Sequence, residues 1–522
     1  MKNFCYLPLL AALCSCAGNG PEPGPAGDVP GAGLGHGMIV LGEQLEDPYT
    51  VANMEEALAS VYPTKAGRIA LDPTDLYVRF LPKDEAQYDA LLALGLVLVD
   101  HPVDYRIVRE GDWYHDPSVA EDDITWQYAV VPAGFVFPED VCYELLDECF
   151  IADHAPSTKT DGIDWAEVER EAFRLTGNAD MLIPATRADA AASPSGRITI
   201  VDSAHSSEPE GVKGVMVNCN CFVKFGQCYT DADGRYEMKR TFSSEPRYRL
   251  VFRNKKGFCI GFNLILLPAS VSTMGTGPAS GMDLEVSADS DRKLFTRAVV
   301  NNAGYDFFES CNSTGGSMKT PPANLRIWLL HAMRSSSAVM LRQGAFVESG
   351  LIGDFLGEYA SLVEMFLPDI TLGVKDLTDY SEIYSLAIHE FAHASHFMQC
   401  GKSFWDNYIN YILRSFVTSG FVTYGVGTEK DHGYCEVGEM WAYYVETMFF
   451  RDRYGDRSRI FGSSFWFTPQ TLVFLDERGL NRYKIFAALT SDIIDKDIFQ
   501  DKLLALYPEL KSVINRAFGR YK

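Results

Sequence analysis

His389-Glu390-Phe391-Ala392-His393-Ala394-Ser395-His396-Phe397 is the stretch from which the chain's architecture and chemistry can be worked out. Two histidines four residues apart stand one turn apart on the same face of a helix, so both imidazoles can reach one metal ion. Glu390 then lies beside that ion and not on it, placed to take a proton from a water. The flanking residues predict the helix that this pairing needs. Ser381 and Glu382 suit its first turn, and Ile383, Leu386, Ala387 and Phe391 form an apolar stripe. Upstream, Lys293 to Phe308 reads as a helix, and Asn324–Leu330 and Asp369–Val374 read as two strands. Strand, strand, then motif helix resembles the layout of zincin-like catalytic domains. Its outer strand leaves backbone groups free for an extended peptide to join.

A catalytic metal needs a third protein ligand and one open position. Downstream, Gly433 to Glu446 repeats its apolar residues at helical spacing. Within it, Glu439-Met440-Trp441-Ala442 resembles the second zinc helix of gluzincin metallopeptidases, where Glu is followed by one residue, an aromatic residue and Ala. The resemblance implies Zn2+ as cofactor, Glu439 as third ligand with Glu436 as the alternative, and a peptide or protein as substrate. The extended metzincin pattern is excluded, because Ser395, His396 and Gln399 stand where its later residues would be. Glu390 is then the base that prepares water for attack on a peptide carbonyl. Tyr434, His432 and Tyr424, in the run before the glutamate helix, are the candidate oxyanion donors. His396 shares the side of the helix that carries His393, as an outer partner or a packed ring. Phe467 to Tyr521 reads as amphipathic helices broken near Gly479 and Pro508, similar to the helical half that closes a gluzincin cleft.

The chain opens on an address. Lys2 and the apolar run Phe4–Leu13 lead to Leu13-Cys14-Ser15-Cys16, which resembles a bacterial lipobox with Cys16 as the lipid-modified residue. The resemblance implies export and a lipid anchor, and the absence of Asp after Cys16 favours the outer membrane. Residues 1–16 form this leader, and 17–48 form a tether rich in Gly and Pro. With 46 basic and 70 acidic residues the formal charge is −24, which excludes nucleic acid as a partner and leaves the anchor as the membrane contact.

Two further regions precede the catalytic one, making a multidomain α+β protein. Residues 49–190 read as a small α/β domain: strand Leu76–Phe80, helix Asp84–Leu94, strand Val97–Tyr105, a further strand at Ile124–Val131, a helix after Pro138, and another from Asp164 to Leu175. Residues 191–270 carry strand-like runs and Thr230-Asp231-Ala232-Asp233-Gly234-Arg235-Tyr236, where Asp-Gly predicts a hairpin turn. This order resembles the carboxypeptidase regulatory-like domain, a transthyretin-like β-sandwich, implying a spacer or binding module. Residues 290–522 form the metallopeptidase domain.

Twelve cysteines fit an exported chain. Two bridges are expected among Cys219, Cys221, Cys228 and Cys259, and one between Cys400 and Cys435. Cys142 and Cys149, on a helix, would stand about 10.5 Å apart and stay unbridged. The competing function is a non-catalytic surface lipoprotein that binds protein or glycan and keeps a structural metal site. A factor acting on cell-wall peptides is a third reading.

Overall fold

The structure is a computed structural model, and it describes residues 37–64, 69–120, 123–155, 162–183, 191–261, 269–313, 316–331, 334, 336–345, 368–418, 422 and 424–521. The leader, Cys16 and nearly all of the tether lie outside these. No helix of the described residues is long and apolar enough to cross a membrane.

Thr50, Asp84 and Asp164 begin the first three helices, each through a side-chain oxygen that accepts a first-turn N–H. These are α1 (Val51–Val61), α2 (Glu85–Ala93) and α3 (Trp165–Leu175). Around them, β1 (Val40–Gln44) pairs with β3 (Tyr105–Arg109). A second antiparallel sheet is ordered β4 (Gln127–Pro132), β2 (Asp75–Leu81), β5 (Cys142–Cys149). Two expectations fail here. The run after Pro138 is the strand β5 and not a helix. Its apolar spacing suits either form, and the free edge of β2 decides between them by pairing with it from Leu81–Cys142 to Asp75–Cys149. Tyr143 stacks on Phe137 at 3.9 Å, which extends that face. Val97–Tyr105 is not a continuous strand either. Pro102 lacks an N–H for a ladder, and Val99 alone bridges to Tyr128 before regular pairing starts at Tyr105.

The next segment holds two sheets. One is ordered β10 (Arg235–Glu237), β6 (Ser195–Ile200), β14 (Leu284–Val286), with β7 (Glu210–Gly211) also on β6. The other includes β9 (Lys224–Tyr229), β8 (Val215–Cys221), β11 (Arg247–Asn254) and β12 (Phe258–Gly261), with β13 (Val271–Thr276) on β11. Ile198, Ile200 and Tyr236 of the first share a core with Val217, Cys219 and Leu250 of the second. The Asp-Gly turn is present but makes no hairpin. Asp231 accepts the N–H groups of Asp233 and Arg235, and the chain passes from β9 in one sheet to β10 in the other. Gly234 is required there: its φ is +77°, and a Cβ would meet the Ile198 carbonyl oxygen at 2.1 Å.

None of the nine described cysteines is bridged. The register explains the four in the sheets. Cys219 stands opposite Gly226, Cys221 opposite Lys224, Cys228 opposite Val217, and Cys259 opposite Arg253 and Arg326. No cysteine faces another.

Beyond β12 the same sheet continues. Strand β12 pairs in parallel with β17 (Leu325–Leu330), and β17 with β18 (Ile370–Gly373), after a short ribbon of β15 (Asn312–Ser313) and β16 (Gly316–Ser317). The expected boundary between 270 and 290 is therefore bridged by a seven-stranded sheet. Helix α4 (Arg292–Ser310) lies between this sheet and the motif helix α5 (Tyr380–Cys400), buried almost all round. Gly304 lets α4 approach closely, since a Cβ there would lie 2.6 Å from the Phe391 ring. Phe391 also stacks on Phe307 at 5.9 Å. Thereafter the chain is helical: α6 (Lys402–Thr418), α7 (His432–Tyr454), α8 (Gln470–Asp476), α9 (Arg482–Ala488), α10 (Lys496–Leu506) and α11 (Lys511–Arg520). The breaks near Gly479 and Pro508 fall where the composition places them.

One buried carboxyl makes stability depend on pH. Asp47 accepts the Tyr49 N–H on one oxygen, and its other oxygen has no hydrogen-bond partner among the described residues. Burial, against the Tyr49 hydrogen bond and with Asp104 and Asp147 nearby, pushes its pKa up to about 8. The folded chain thus holds a proton that the unfolded chain releases near pH 4, so stability falls as pH rises through that window. Between pH 5 and 8 the loss is expected to be on the order of 3–4 kcal/mol. Asp47→Asn should flatten the urea-midpoint profile over this range; an unchanged slope would remove Asp47 as its source.

Candidate metal centre

Asp379 caps α5 by accepting the Ser381 N–H at 2.8 Å, and α5 ends at Gly401, where φ is +79°. Helices α5 and α7 run antiparallel, with His389 against Glu446 and His393 against Glu439. The Trp441 indole N–H donates to the Ala392 carbonyl at 3.3 Å and ties the two helices together. His389, Glu390, His393 and Glu439 are all fully buried.

Three donor groups converge. His389 Nε2 and His393 Nε2 are 3.2 Å apart. Glu439 Oε2 is 3.4 Å from the first, and Glu439 Oε1 is 3.6 Å from the second. A tetrahedral zinc ion with bonds of about 2.0–2.1 Å separates its ligand atoms by roughly 3.3–3.4 Å, so these spacings fit such an ion. A second observation agrees. Both carboxylate oxygens of Glu390 are buried without a hydrogen-bond partner among the described residues. A buried polar group in that condition calls for a partner outside the chain. His389, His393 and Glu439 therefore form a group able to hold a metal ion.

The electrostatics follow from proximity. Burial opposes ionisation of Glu439, but His393 and His389 outweigh it and hold the carboxyl down at about 2. Burial likewise opposes protonation of His389, yet hydrogen bonds that its ring donates to Glu439 and Glu446 carry it up to about 10. A cation would replace that shared proton. Burial raises Glu390 to about 8, helped by Glu439 and Glu446 and opposed by His389.

Of the candidates read from sequence, the fold assembles His389, Glu390, His393 and Glu439. Glu436 faces elsewhere, accepting the Lys496 N–H at the start of α10. It stands about one turn nearer the start of α7 than Glu439, where α10 takes up its carboxylate. Tyr434 packs on Phe404 and accepts from Asn407, while His432 packs on Trp466 and its Nδ1 meets the Glu429 carbonyl. Tyr424 comes closest to the centre. Its hydroxyl meets that of Tyr443 at 3.1 Å, and the Tyr443 ring lies 4.4 Å from the His389 ring. His396 is a packed ring between Phe404 and Trp405, held down at about 3 by burial. Cys435 lies fully buried near Tyr411 of α6, and Cys400 sits at the end of α5, so the expected staple between them is absent.

Two participants went unassigned in the sequence. Tyr408 on α6 donates to Glu439 Oε1 at 2.5 Å and stands 3.4 Å from His393 Nε2. Glu446 accepts from His389 Nδ1 at 3.1 Å, which fixes the proton on Nδ1 and turns Nε2 towards the centre. Glu446 was legible, seven residues after Glu439 and so on the same helical face. Nothing in the spacing marks Tyr408. Glu446→Ala is expected to weaken zinc binding about 10–100-fold in a chelator competition. Affinity equal to that of the parent would mean that Glu446 does not orient His389.

No family model, no curated protein and no solved structure matches this chain.

Proposed function

We propose that this protein is an exported zinc metallopeptidase of gluzincin-like design. The reading is carried by one observation, a buried Glu390 with both oxygens unpartnered beside a three-donor group at tetrahedral spacing. Two imidazoles and one carboxylate suit zinc better than the all-oxygen cages of magnesium or calcium. His389, His393 and Glu439 would hold the ion, which when bound polarises a carbonyl and acidifies a water. Glu390 would take a proton from the attacking water and later deliver it to the leaving amine. Glu446 keeps His389 in its metal-facing tautomer, and Tyr408 steadies Glu439. Tyr424 and Tyr443 supply hydroxyl donors on the His389 side. The leader supports a lipid anchor in the outer membrane, and the two-sheet segment a carboxypeptidase regulatory-like spacer.

The test is cleavage profiling of a diverse peptide library with the soluble protein lacking residues 1–17. Cleavage that disappears on chelation and returns with zinc is expected. A zinc-loaded protein that cuts nothing would favour the binding lipoprotein instead.

A further inference from the structure

Between the amino-terminal segment and the face of the seven-stranded sheet lies a cavity of about 80 Å³. By volume it is large enough for several waters. Its walls carry apolar, cationic and acidic side chains, the last being Asp100 and Asp112. Leu96, Val99, Val251 and Val271 supply apolar surface, and Arg247, Arg249 and Arg253 supply guanidinium groups.

These arginines differ in how they are matched. Arg247 forks onto Glu110, with Nη2 2.6 Å from Oε2, and its Nη1 lies 3.0 Å from His101 Nε2. A guanidinium only donates, so His101 Nε2 accepts, and Nδ1 carries the proton that goes to Asp100 at 2.7 Å. His101 is therefore neutral. Arg253 is only partly buried and keeps access to water. Arg249 has neither outlet. It is 4% exposed, and among the described residues its one hydrogen bond is donated to Asn220 Oδ1, with no carboxylate at ion-pair distance. Burial, and then Arg247 beside it, pull its pKa down to about 9, against the opposite pull of Asp100 and Glu110. A buried charge is tolerated when it is paired, and both carboxylates near Arg249 are committed elsewhere, Asp100 to His101 and the Tyr114 N–H, and Glu110 to Arg247.

We propose that this cavity binds a small organic carboxylate, its oxygens on the Arg249 guanidinium and its hydrocarbon part against Leu96, Val99, Val251 and Val271. The planar fork of a guanidinium matches a carboxylate. The apolar walls favour an acid with a short tail over a bare inorganic ion. Such a group has two sources, a free short-chain acid or the carboxyl terminus of a peptide.

Calorimetric titration of the whole purified chain with butyrate, N-acetylvaline, phosphate and chloride tests this. Saturable one-to-one binding of butyrate or N-acetylvaline is expected, and whichever binds more tightly identifies the source. Arg249→Met should weaken it about tenfold or more, and Val271→Phe should block it by filling the space. If either variant fails to fold, crystals of the parent grown with 4-bromobutyrate decide the matter. A bromine signal within reach of Arg249 supports the site, and one elsewhere overturns it. Absence of saturable carboxylate binding at millimolar concentration, or tighter binding of phosphate or chloride, also overturns the proposal.

Discussion

Glu390→Gln is expected to lower peptide hydrolysis by about 10²- to 10⁴-fold while leaving bound zinc at one ion per chain. The substitution keeps shape and volume and removes the one group placed to accept a proton. Glu390 is not among the three converging donors, so metal content should survive. The split between the two readouts carries the argument. Glu439→Gln, by contrast, removes a ligand charge and should lose both metal and activity together. The two variants are to be compared by metal analysis and by initial rates on the best peptide from the library. If Glu390→Gln cleaves at the parental rate, the base lies elsewhere. If it loses zinc as well, Glu390 belongs to the ligand set and the proposed division of roles fails.

The second large effect is on stability. Arg453, near the end of α7, donates to Asp202 at 2.8 Å and to Glu210 at 2.6 Å, and lies 3.9 Å from Asp306. Its guanidinium sits over the rings of Tyr380 and Tyr384 at 5.0 and 4.9 Å. Lys213 serves Asp306 and Glu210, but Asp202, 2% exposed, has Arg453 as its cationic partner among the described residues. Arg453→Met keeps much of the stem and leaves a buried carboxylate without its cation. That should cost about 3–5 kcal/mol, read as a shift of the urea midpoint. Arg453→Lys should recover only part of the loss, because an ammonium cannot fork onto two carboxylates across two rings. A loss under about 1 kcal/mol would place Arg453 among surface ion pairs and refute the buried-clamp description.

How much of this was legible in the sequence depended on the range of the interaction. The buried donor group was readable because its members repeat at helical spacing, and a helix turns spacing into direction: His389 and His393 one turn apart, then Glu439 and Glu446 two turns apart. The helix starts at Asp84 and Asp164 and the strands Leu325–Leu330 and Ile370–Gly373 were local signals of the same kind. What could not be read was set by partners distant in the chain. Residues 142–149 became a strand because β2 offered an edge, a fact absent from their own pattern. The cysteines stayed single because register, not crowding in sequence, decides which side chains face each other. Tyr408 reaches Glu439 only because α6 folds back over α5, and a lone tyrosine carries no sign of that.

The parallel pairing of β12 with β17 also bears on how the protein can be divided or rearranged. Sequence divides the chain near residues 270–290, yet β12 contributes a full row of backbone hydrogen bonds to the strand β17 beyond that point. A catalytic fragment cut out at residue 290 would carry an open strand edge on its apolar side, the kind of surface that recruits other chains. Truncation and grafting have to respect the sheet, and also the buried Lys224–Glu169 pair that ties the amino-terminal segment to it.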